Sequence, residues 1–143
     1  MDADFTAMAR AMEKRFRGHA VRRFLDFHIL DLATGRCVMS IEFKEEFDNT
    51  TGAVHGGILA MLADSAVACA LATHFDGEMH FATSSLNIHF LRRASTAVTA
   101  VATIIKRGSR VCVGSVEIYD AARSQVATAT CDFVLLPPPA GES

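Results

Sequence analysis

The stretch Gly57-Ile-Leu-Ala-Met-Leu-Ala-Asp-Ser-Ala-Val-Ala-Cys-Ala-Leu-Ala72 is the most apolar part of the chain and follows directly on a His55-Gly56-Gly57 turn. Its composition predicts a helix that runs to about His74 and is apolar almost all round, so other elements must cover it on nearly every side. The part from Ile58 to Ala72 is short for a membrane span and is interrupted by Asp64, which favours burial in protein over burial in lipid.

Asp64 is the only charged residue of this stretch. Burial of an unpaired carboxylate costs several kcal/mol, so a residue of this kind is normally paired, hydrogen-bonded or functional. A purely structural alternative stays open, in which the carboxylate accepts hydrogen bonds from amides of another chain. Asp64 is therefore the first candidate for a functional residue.

The segments on either side of the helix predict an α+β fold. Residues 4–17 form an amphipathic first helix, with Phe5, Met8, Met12 and Phe16 at helical spacing, that packs against the domain or a partner subunit. Six strand-like runs are predicted at Arg23–Leu32, Arg36–Phe47, His80–Leu91, Val98–Lys106, Val111–Asp120 and Val126–Leu136. The first two form a hairpin and the last four follow at the spacing of an antiparallel meander, so we expect a curved antiparallel sheet around the central helix.

Length and composition predict one domain spanning residues 1–143, with a core from about 20 to 136 and a disordered tail at 137–143. Fourteen basic residues against sixteen acidic ones, without a long Lys/Arg run, argue against a nucleic-acid partner. The N-terminus has acids and lacks an apolar segment of the secretory type, and the four cysteines match no zinc or redox spacing. We therefore expect reduced core thiols, a cytoplasmic protein and no membrane association.

Three groups of residues resemble the hotdog-fold thioesterases, in the branch typified by the phenylacetic-acid-degradation and human-type acyl-CoA thioesterases. They are Asn49-Thr-Thr-Gly52-Ala-Val-His55-Gly56-Gly57, then Leu62-Ala63-Asp64 on the helix, then Thr83-Ser-Ser-Leu-Asn-Ile-His-Phe-Leu91 on the next strand. An isolated His-Gly-Gly would be a weak signal, but these residues in this order and spacing form a fairly specific signature. The resemblance covers residues 20–136 and implies a hotdog fold and hydrolysis of an acyl-coenzyme A.

Helix geometry limits how Asp64 and Gly56 can act together. At a rise of about 1.5 Å per residue their backbones lie about 12 Å apart along the helix, too far to share one small reacting centre within a chain. If both act on one thioester, the aspartate must come from another subunit, which predicts a two-fold homodimer with two composite sites. The resemblance implies the same arrangement, and pairing of dimers into a homotetramer is expected.

The helix start predicts a device that polarises a carbonyl, because Gly56 and Gly57 leave backbone amides open to close approach at a positively polarised helix end. The resemblance assigns this role to the Gly56 amide, and Asp64 then acts as general base or as nucleophile, two routes that the sequence does not separate. Asn49 and His55 carry over as residues that position the loop, water or substrate, and Thr83 as a hydroxyl that assists the aspartate. The neighbouring Ser84 and Ser85 are further substrate-binding candidates.

Substrate binding is expected to need no cofactor or metal, with coenzyme A present only as part of the substrate. Met61 is a candidate for lining the acyl pocket, and Lys106, Arg107 and Arg110 flank a glycine turn where they either contact the phosphates of coenzyme A or form a solvated end. Arg92 and Arg93 are a second, less favoured basic group. The histidines and cysteines show no spacing typical of a metal site.

Two other functions stay open at this point. One is a hydratase or dehydratase acting on an enoyl or hydroxyacyl thioester, because the predicted sheet wrapped around a helix resembles the fold of those enzymes too. The other is a non-catalytic acyl-ligand sensor, since fold does not fix function. The chain does not reveal whether the acyl group is aromatic, branched or straight.

Overall fold

The computed structural model describes residues 1–141, in which six antiparallel strands form one sheet on the face of a long helix. The helices are α1 (Ala3–Arg17), α2 (Ala20–Leu25) and α3 (Gly56–Ala72), and 3₁₀ turns occupy Glu45–Phe47 and Thr73–Phe75. The strands are β1 (His28–Ala33), β2 (Arg36–Ile41), β3 (Phe81–Phe90), β4 (Val98–Arg107), β5 (Val111–Asp120) and β6 (Gln125–Leu135). The predicted α+β class, with six strands, a central helix and an N-terminal helix, is confirmed.

The amphipathic helix α1 closes one end of the core. Its N-cap is Asp2, whose side chain accepts a hydrogen bond from the Phe5 amide at 3.0 Å, and its residues Ala9, Met12 and Phe16 are buried. Glu13 Oε1 accepts a hydrogen bond from the Ile29 amide at 2.7 Å, which ties the helix to β1. Packing of α1 against its own domain is thus observed.

The strand predicted from Arg23 begins too early, because Ala20–Leu25 is a short helix. Val21, Phe24 and Leu25 follow helical spacing, and only Leu25 of the three is buried. Asp26, with a φ of 52°, ends the helix in the left-handed conformation. The second strand also ends earlier than predicted, at Ile41 rather than Phe47.

The predicted four-strand meander is wrong in one respect, since the sheet order is β1-β2-β4-β5-β6-β3. Only β4, β5 and β6 form a meander, whereas β3 pairs with β6 and β4 pairs with β2. The short turns between β4, β5 and β6 force these strands to be neighbours, and α3 delivers the chain to the far edge of the sheet. β3 is therefore an edge strand.

The central helix packs against the sheet along most of its circumference. Its buried residues are Leu59, Leu62, Ala63, Ala66, Val67, Cys69, Ala70, Leu71 and Ala72. Close approach requires Gly114 on β5, where a Cβ would lie 2.4 Å from Cγ1 of Val67. One stripe remains open, contrary to the prediction of nearly complete cover, because Gly57 and Met61 are exposed and Asp64, Ser65 and Ala68 are half-buried.

The apolar composition of α3 is also that of a membrane-spanning helix. Within the described residues one helix, Gly56–Phe75, is long and apolar enough to cross a bilayer. It contains α3, which forms the centre of the hydrophobic core against β2, β4 and β5. Burial in protein therefore accounts for its composition.

The helical segment that begins with α3 ends where the sequence predicts. Asp76 and Gly77 adopt positive φ angles of 53° and 86° and terminate the helical segment as expected. Residues 137–141 carry no helix or strand, and residues 142 and 143 of the predicted disordered tail lie outside the described residues. All four cysteines are buried, which confirms the prediction that they lie in the core.

Candidate active site

Asp64 lies in the open stripe of α3, so the expectation of a buried carboxylate needs correction: the side chain is half-buried. Its Oδ1 atom accepts a hydrogen bond of 2.7 Å from the Thr83 hydroxyl on β3. Cys131 of β6 donates a second, weaker bond to the same oxygen, with Sγ and Oδ1 3.5 Å apart. Within residues 1–141 no protein group hydrogen-bonds Oδ2.

Cys131 is the contact that sequence reasoning missed, because nothing in its local pattern distinguishes it from the other core thiols. The side chain is fully buried between Leu86 of β3 and Gly114 of β5, its register partners. Burial raises the pKa of the Cys131 thiol to about 12, and the negative charge and hydrogen bond of Asp64 act in the same direction. The sulfur therefore stays protonated at neutral pH and can donate.

Thr83 reaches Asp64 at an irregularity of the edge strand. The register of β3 against β6 shifts between Thr83, which opposes Phe133, and Ser85, which opposes Asp132. Ser84 lies in this bulge and donates to the Asp132 carbonyl at 3.2 Å, and Ser85 is exposed. Of the three hydroxyls proposed from the sequence, only that of Thr83 contacts the carboxylate.

The start of α3 presents one available amide rather than the two that were expected. His55 is the N-cap, and its Nδ1 atom accepts the Gly57 amide hydrogen at 2.9 Å. The Ile58 amide donates to the His55 carbonyl at 2.9 Å. Within the described part of the chain the Gly56 amide has no hydrogen-bond acceptor, so it is the donor left for a ligand.

Asn49 organises the loop that precedes this helix. Its Oδ1 atom accepts hydrogen bonds from the Thr51 amide at 3.0 Å and the Thr51 hydroxyl at 2.6 Å. Its backbone amide donates to the Ala53 carbonyl at 2.8 Å, which closes the loop. The Arg93 guanidinium donates to the Thr51 carbonyl and fastens the loop to the segment after β3. Asn49 therefore holds the approach to Gly56.

A cavity of about 430 Å³ opens beside Gly56. Its lining residues are Asn49, Ala53, Val54, Gly56, Leu59, Phe90, Leu91, Arg92, Arg93 and Ala94. The ring of Phe90 covers Gly56 so closely that a Cβ there would lie 3.0 Å from Cζ of the ring. The cavity thus combines an apolar wall with two guanidinium groups.

The structure does not bring all candidate residues together within one chain. Asp64, Thr83 and Met61 are absent from the cavity lining, and eight residues of continuous helix keep Asp64 about 12 Å from Gly56. Asn49, His55 and Gly56 therefore form one group, and Asp64 and Thr83 form another.

The basic turn favoured by the sequence lies at the opposite end of α3. The Arg107 guanidinium stacks over the ring of Phe75, 4.9 Å from its centroid, directly after the helix ends. Lys106 and Arg110 are exposed near it. Burial, and secondarily the charge of Arg107, lowers the pKa of His74 at the same end. Arg92 and Arg93, the less favoured pair, are those near Gly56.

Residues 1–141 contain no cluster of three or more His, Cys, Asp or Glu side chains placed to hold a metal ion. The chemistry available in the site is that of a carboxylate, a hydroxyl, a thiol donor and a helix-end amide.

Comparison with known proteins identifies the family. A model of the thioesterase superfamily matches residues 51–127. A Saccharolobus solfataricus protein named "Putative esterase" is 33% identical over 114 residues, which are 78% of this chain and 81% of that protein.

Two solved structures share the fold. The Escherichia coli PaaI protein from the phenylacetic acid degradation operon superposes with a TM-score of 0.81 at 23% identity, over 91% of this chain and 94% of that one. A mutant of the phenylacetic acid degradation protein PaaI from Thermus thermophilus is 28% identical, with a TM-score of 0.74, over 82% and 100% of the two chains. The hotdog fold and the resemblance to PaaI-like proteins are confirmed, and the chain belongs to the thioesterase superfamily.

Proposed function

We propose that this protein is an acyl-CoA thioesterase that hydrolyses the thioester of an acyl- or aryl-coenzyme A to a free acid and coenzyme A. Membership of the thioesterase superfamily supports a hydrolase. The observation that carries the proposal is the Asp64 carboxylate, anchored through Oδ1 by Thr83 and left with a second oxygen on the open face of α3. An anchored carboxylate with one unengaged oxygen suits a general base or a nucleophile.

The complete site forms between two copies of the chain. Edge strand β3 is exposed on most of its residues and borders the open stripe of α3, so both are available to a second copy. A two-fold axis there runs the two helices antiparallel and brings Asp64 of one copy to the Gly56 helix end of the other. This arrangement closes a gap of about 12 Å that no single chain closes. Further pairing of dimers stays a prediction.

The Gly56 amide and the Asp64 carboxylate have different roles in the proposed reaction. The thioester carbonyl oxygen accepts a hydrogen bond from the Gly56 amide, which stabilises the charge that develops on this oxygen by on the order of 3 kcal/mol. In the general-base route, Asp64 takes a proton from water as the water oxygen bonds to the carbonyl carbon. The carbon–sulfur bond then breaks, and the coenzyme A sulfur leaves with a proton. In the nucleophilic route, Oδ2 of Asp64 attacks the carbonyl carbon, and the carbon–sulfur bond breaks to release coenzyme A as a thiolate, which takes up a proton. Water then hydrolyses the resulting anhydride to the free acid and regenerates the Asp64 carboxylate.

The lining of the cavity beside Gly56 suits an apolar acyl group attached to a phosphate-bearing carrier. Val54 and Leu59 are buried in its wall and Phe90 covers the glycine, so the acyl side is apolar. Arg92 and Arg93 line the same cavity, and guanidinium groups suit phosphate oxygens. Within the protomer that donates the Gly56 amide, Arg92 and Arg93 share a cavity with Gly56, whereas the other basic group lies at the opposite end of α3. Arg92 and Arg93 are therefore the better placed group to bind the phosphates of coenzyme A.

The test is thiol release from a panel of acyl- and aryl-CoA esters by the purified protein. The Asp64→Asn variant is expected to lose thiol release while its secondary structure and oligomeric state stay unchanged. Asp132→Asn removes the same charge from β6 and serves as the matched control, with activity near wild type. Water addition to an enoyl-CoA without thiol release, or tight binding without turnover across the panel, would contradict the proposal. Unfolding of Asp64→Asn would instead favour a structural carboxylate.

A further inference from the structure

A buried thiol lies against the carboxylate that the proposed function uses. Cys131 Sγ is 3.5 Å from Oδ1 of Asp64, within hydrogen-bonding distance for sulfur, and its side chain is 0% exposed. The contact joins the strand next to the sheet edge, β6, to the middle of α3. Thr83 approaches the same oxygen from the neighbouring strand, β3.

We propose that Cys131 is a positioning residue for Asp64, a second donor to Oδ1 that makes Oδ2 the oxygen that meets water or the thioester carbon. The inference rests on the proposed function. A carboxylate held by one donor can rotate about its Cβ–Cγ bond and exchange its two oxygens, because this torsion is broad and roughly two-fold. Two donors from different strands, converging on one oxygen, oppose that rotation.

The thiol acts as a donor and not as a nucleophile. The pKa of Cys131 is raised to about 12, first by burial and then by the charge of Asp64, so the reactive thiolate is scarce at neutral pH. The charged groups that act on it are Asp64 from α3 and Asp132 from its own strand, and both are anionic. The side chain is also sealed from solvent, which keeps the sulfur out of direct reach of a substrate.

The kinetic test compares two substitutions that differ in the donor. Cys131→Ala removes it and is expected to lower kcat about tenfold with KM unchanged, in keeping with the loss of one hydrogen bond to a charged group. Cys131→Ser restores a donor of similar size and is expected to recover most of kcat. An alanine variant with wild-type kcat would overturn the proposal, and so would a serine variant as slow as the alanine variant.

Cys112→Ala is the matched control, because Cys112 is also buried in the sheet, at 1% exposure, and its Sγ lies 3.6 Å from the Gly108 carbonyl rather than near Asp64. It creates a similar small cavity and is expected to leave kcat unchanged. A loss of kcat equal to that of Cys131→Ala would show that the cavity, not the donor, is responsible, and would overturn the proposal.

An infrared measurement tests the contact without turnover. The difference between wild type and Cys131→Ser isolates the S–H stretching band of Cys131, which is expected at a lower frequency than the same band in an Asp64→Asn background. Equal frequencies would overturn the proposal, whatever the activity. A lowered S–H frequency without thiol release from any ester would show that the contact exists but that the protein is not a thioesterase and the contact has no catalytic role. Failure of the contact and failure of the proposed function are therefore distinguishable.

Discussion

The Thr83 hydroxyl donates to Oδ1 of Asp64 at 2.7 Å, and this bond links edge strand β3 to the middle of α3. Because β3 has a strand partner on one side only, in β6, whatever pairs with its outer edge also acts on the position of Thr83. The orientation of the carboxylate is therefore coupled to the face through which a second chain would dock. Assembly and catalysis share one structural element in the proposed enzyme.

Replacement of Thr83 by valine is expected to lower kcat by roughly 10- to 100-fold, because valine keeps the shape of the side chain and loses the donor to a charged group. Thr83→Ser keeps the hydroxyl and is expected to stay within a few-fold of wild type. Thiol release at saturating substrate measures both. Equal activity of the valine and serine variants would show that the hydroxyl plays no part in turnover.

Replacement of Gly56 by proline deletes one backbone amide at the start of α3. Proline is favoured at the first helical position, and His55 before it has a ψ of 136°, within the extended range that the residue before a proline prefers. The helix should therefore form. The loss of the proposed carbonyl donor is expected to lower kcat by about 100-fold.

The control for this variant is Gly56→Ala, which retains the amide. Any side chain at position 56 meets the ring of Phe90, whose nearest atom would lie 3.0 Å from the new Cβ, and this ring is half-exposed and can move. Both substitutions share the contact between the new Cβ and the ring, so the ratio of their kcat values separates the loss of the amide from this contact. A ratio near one would exclude the amide from catalysis.

The elements with strong local signals were predictable from the sequence, and the long-range pairings were not. Alternation and turn residues predicted β5 at its observed bounds, Val111–Asp120, and positive φ at Gly77 fits the predicted helix end. The place of β3 depends on the edge to which α3 delivers the chain, which no local pattern encodes. Residues 23–25 are too few to distinguish a strand from a helical turn.

In the candidate site, too, some features were predictable from the sequence and others were not. The separation of Asp64 from Gly56 follows from helix rise alone, so the prediction of a site shared between two chains did not require the three-dimensional structure. The Cys131 contact depends on the register of β3 and β6 and on where α3 lies across them, and the cover of Phe90 over Gly56 joins residues far apart in the chain. Three-dimensional packing creates both contacts.

His74 is expected to make the fold less stable in acid. Burial, with a smaller contribution from Arg107, lowers the His74 pKa below its usual 6.5, so the unfolded chain binds this proton more readily than the folded one. The contribution to stability is complete above about pH 6.5 and is lost as the pH falls below it. Urea unfolding at pH 7.5 and 5.5 should therefore show a smaller loss for His74→Gln than for wild type. Identical losses would refute the assignment.

Mixed dimers test whether one active site uses two chains. Gly56→Pro and Asp64→Asn are each expected to keep at most about 1% of wild-type activity as homodimers. A dimer with one chain of each kind retains one site in which both groups are native. Random mixing yields mixed dimers as half of the population, and each has one of two sites intact, so about a quarter of wild-type activity should return. Differently tagged chains, co-expressed and purified on both tags in turn, should reach about half. Activity no higher than that of the parent variants, from dimers shown to contain both chains, would place each site within a single chain.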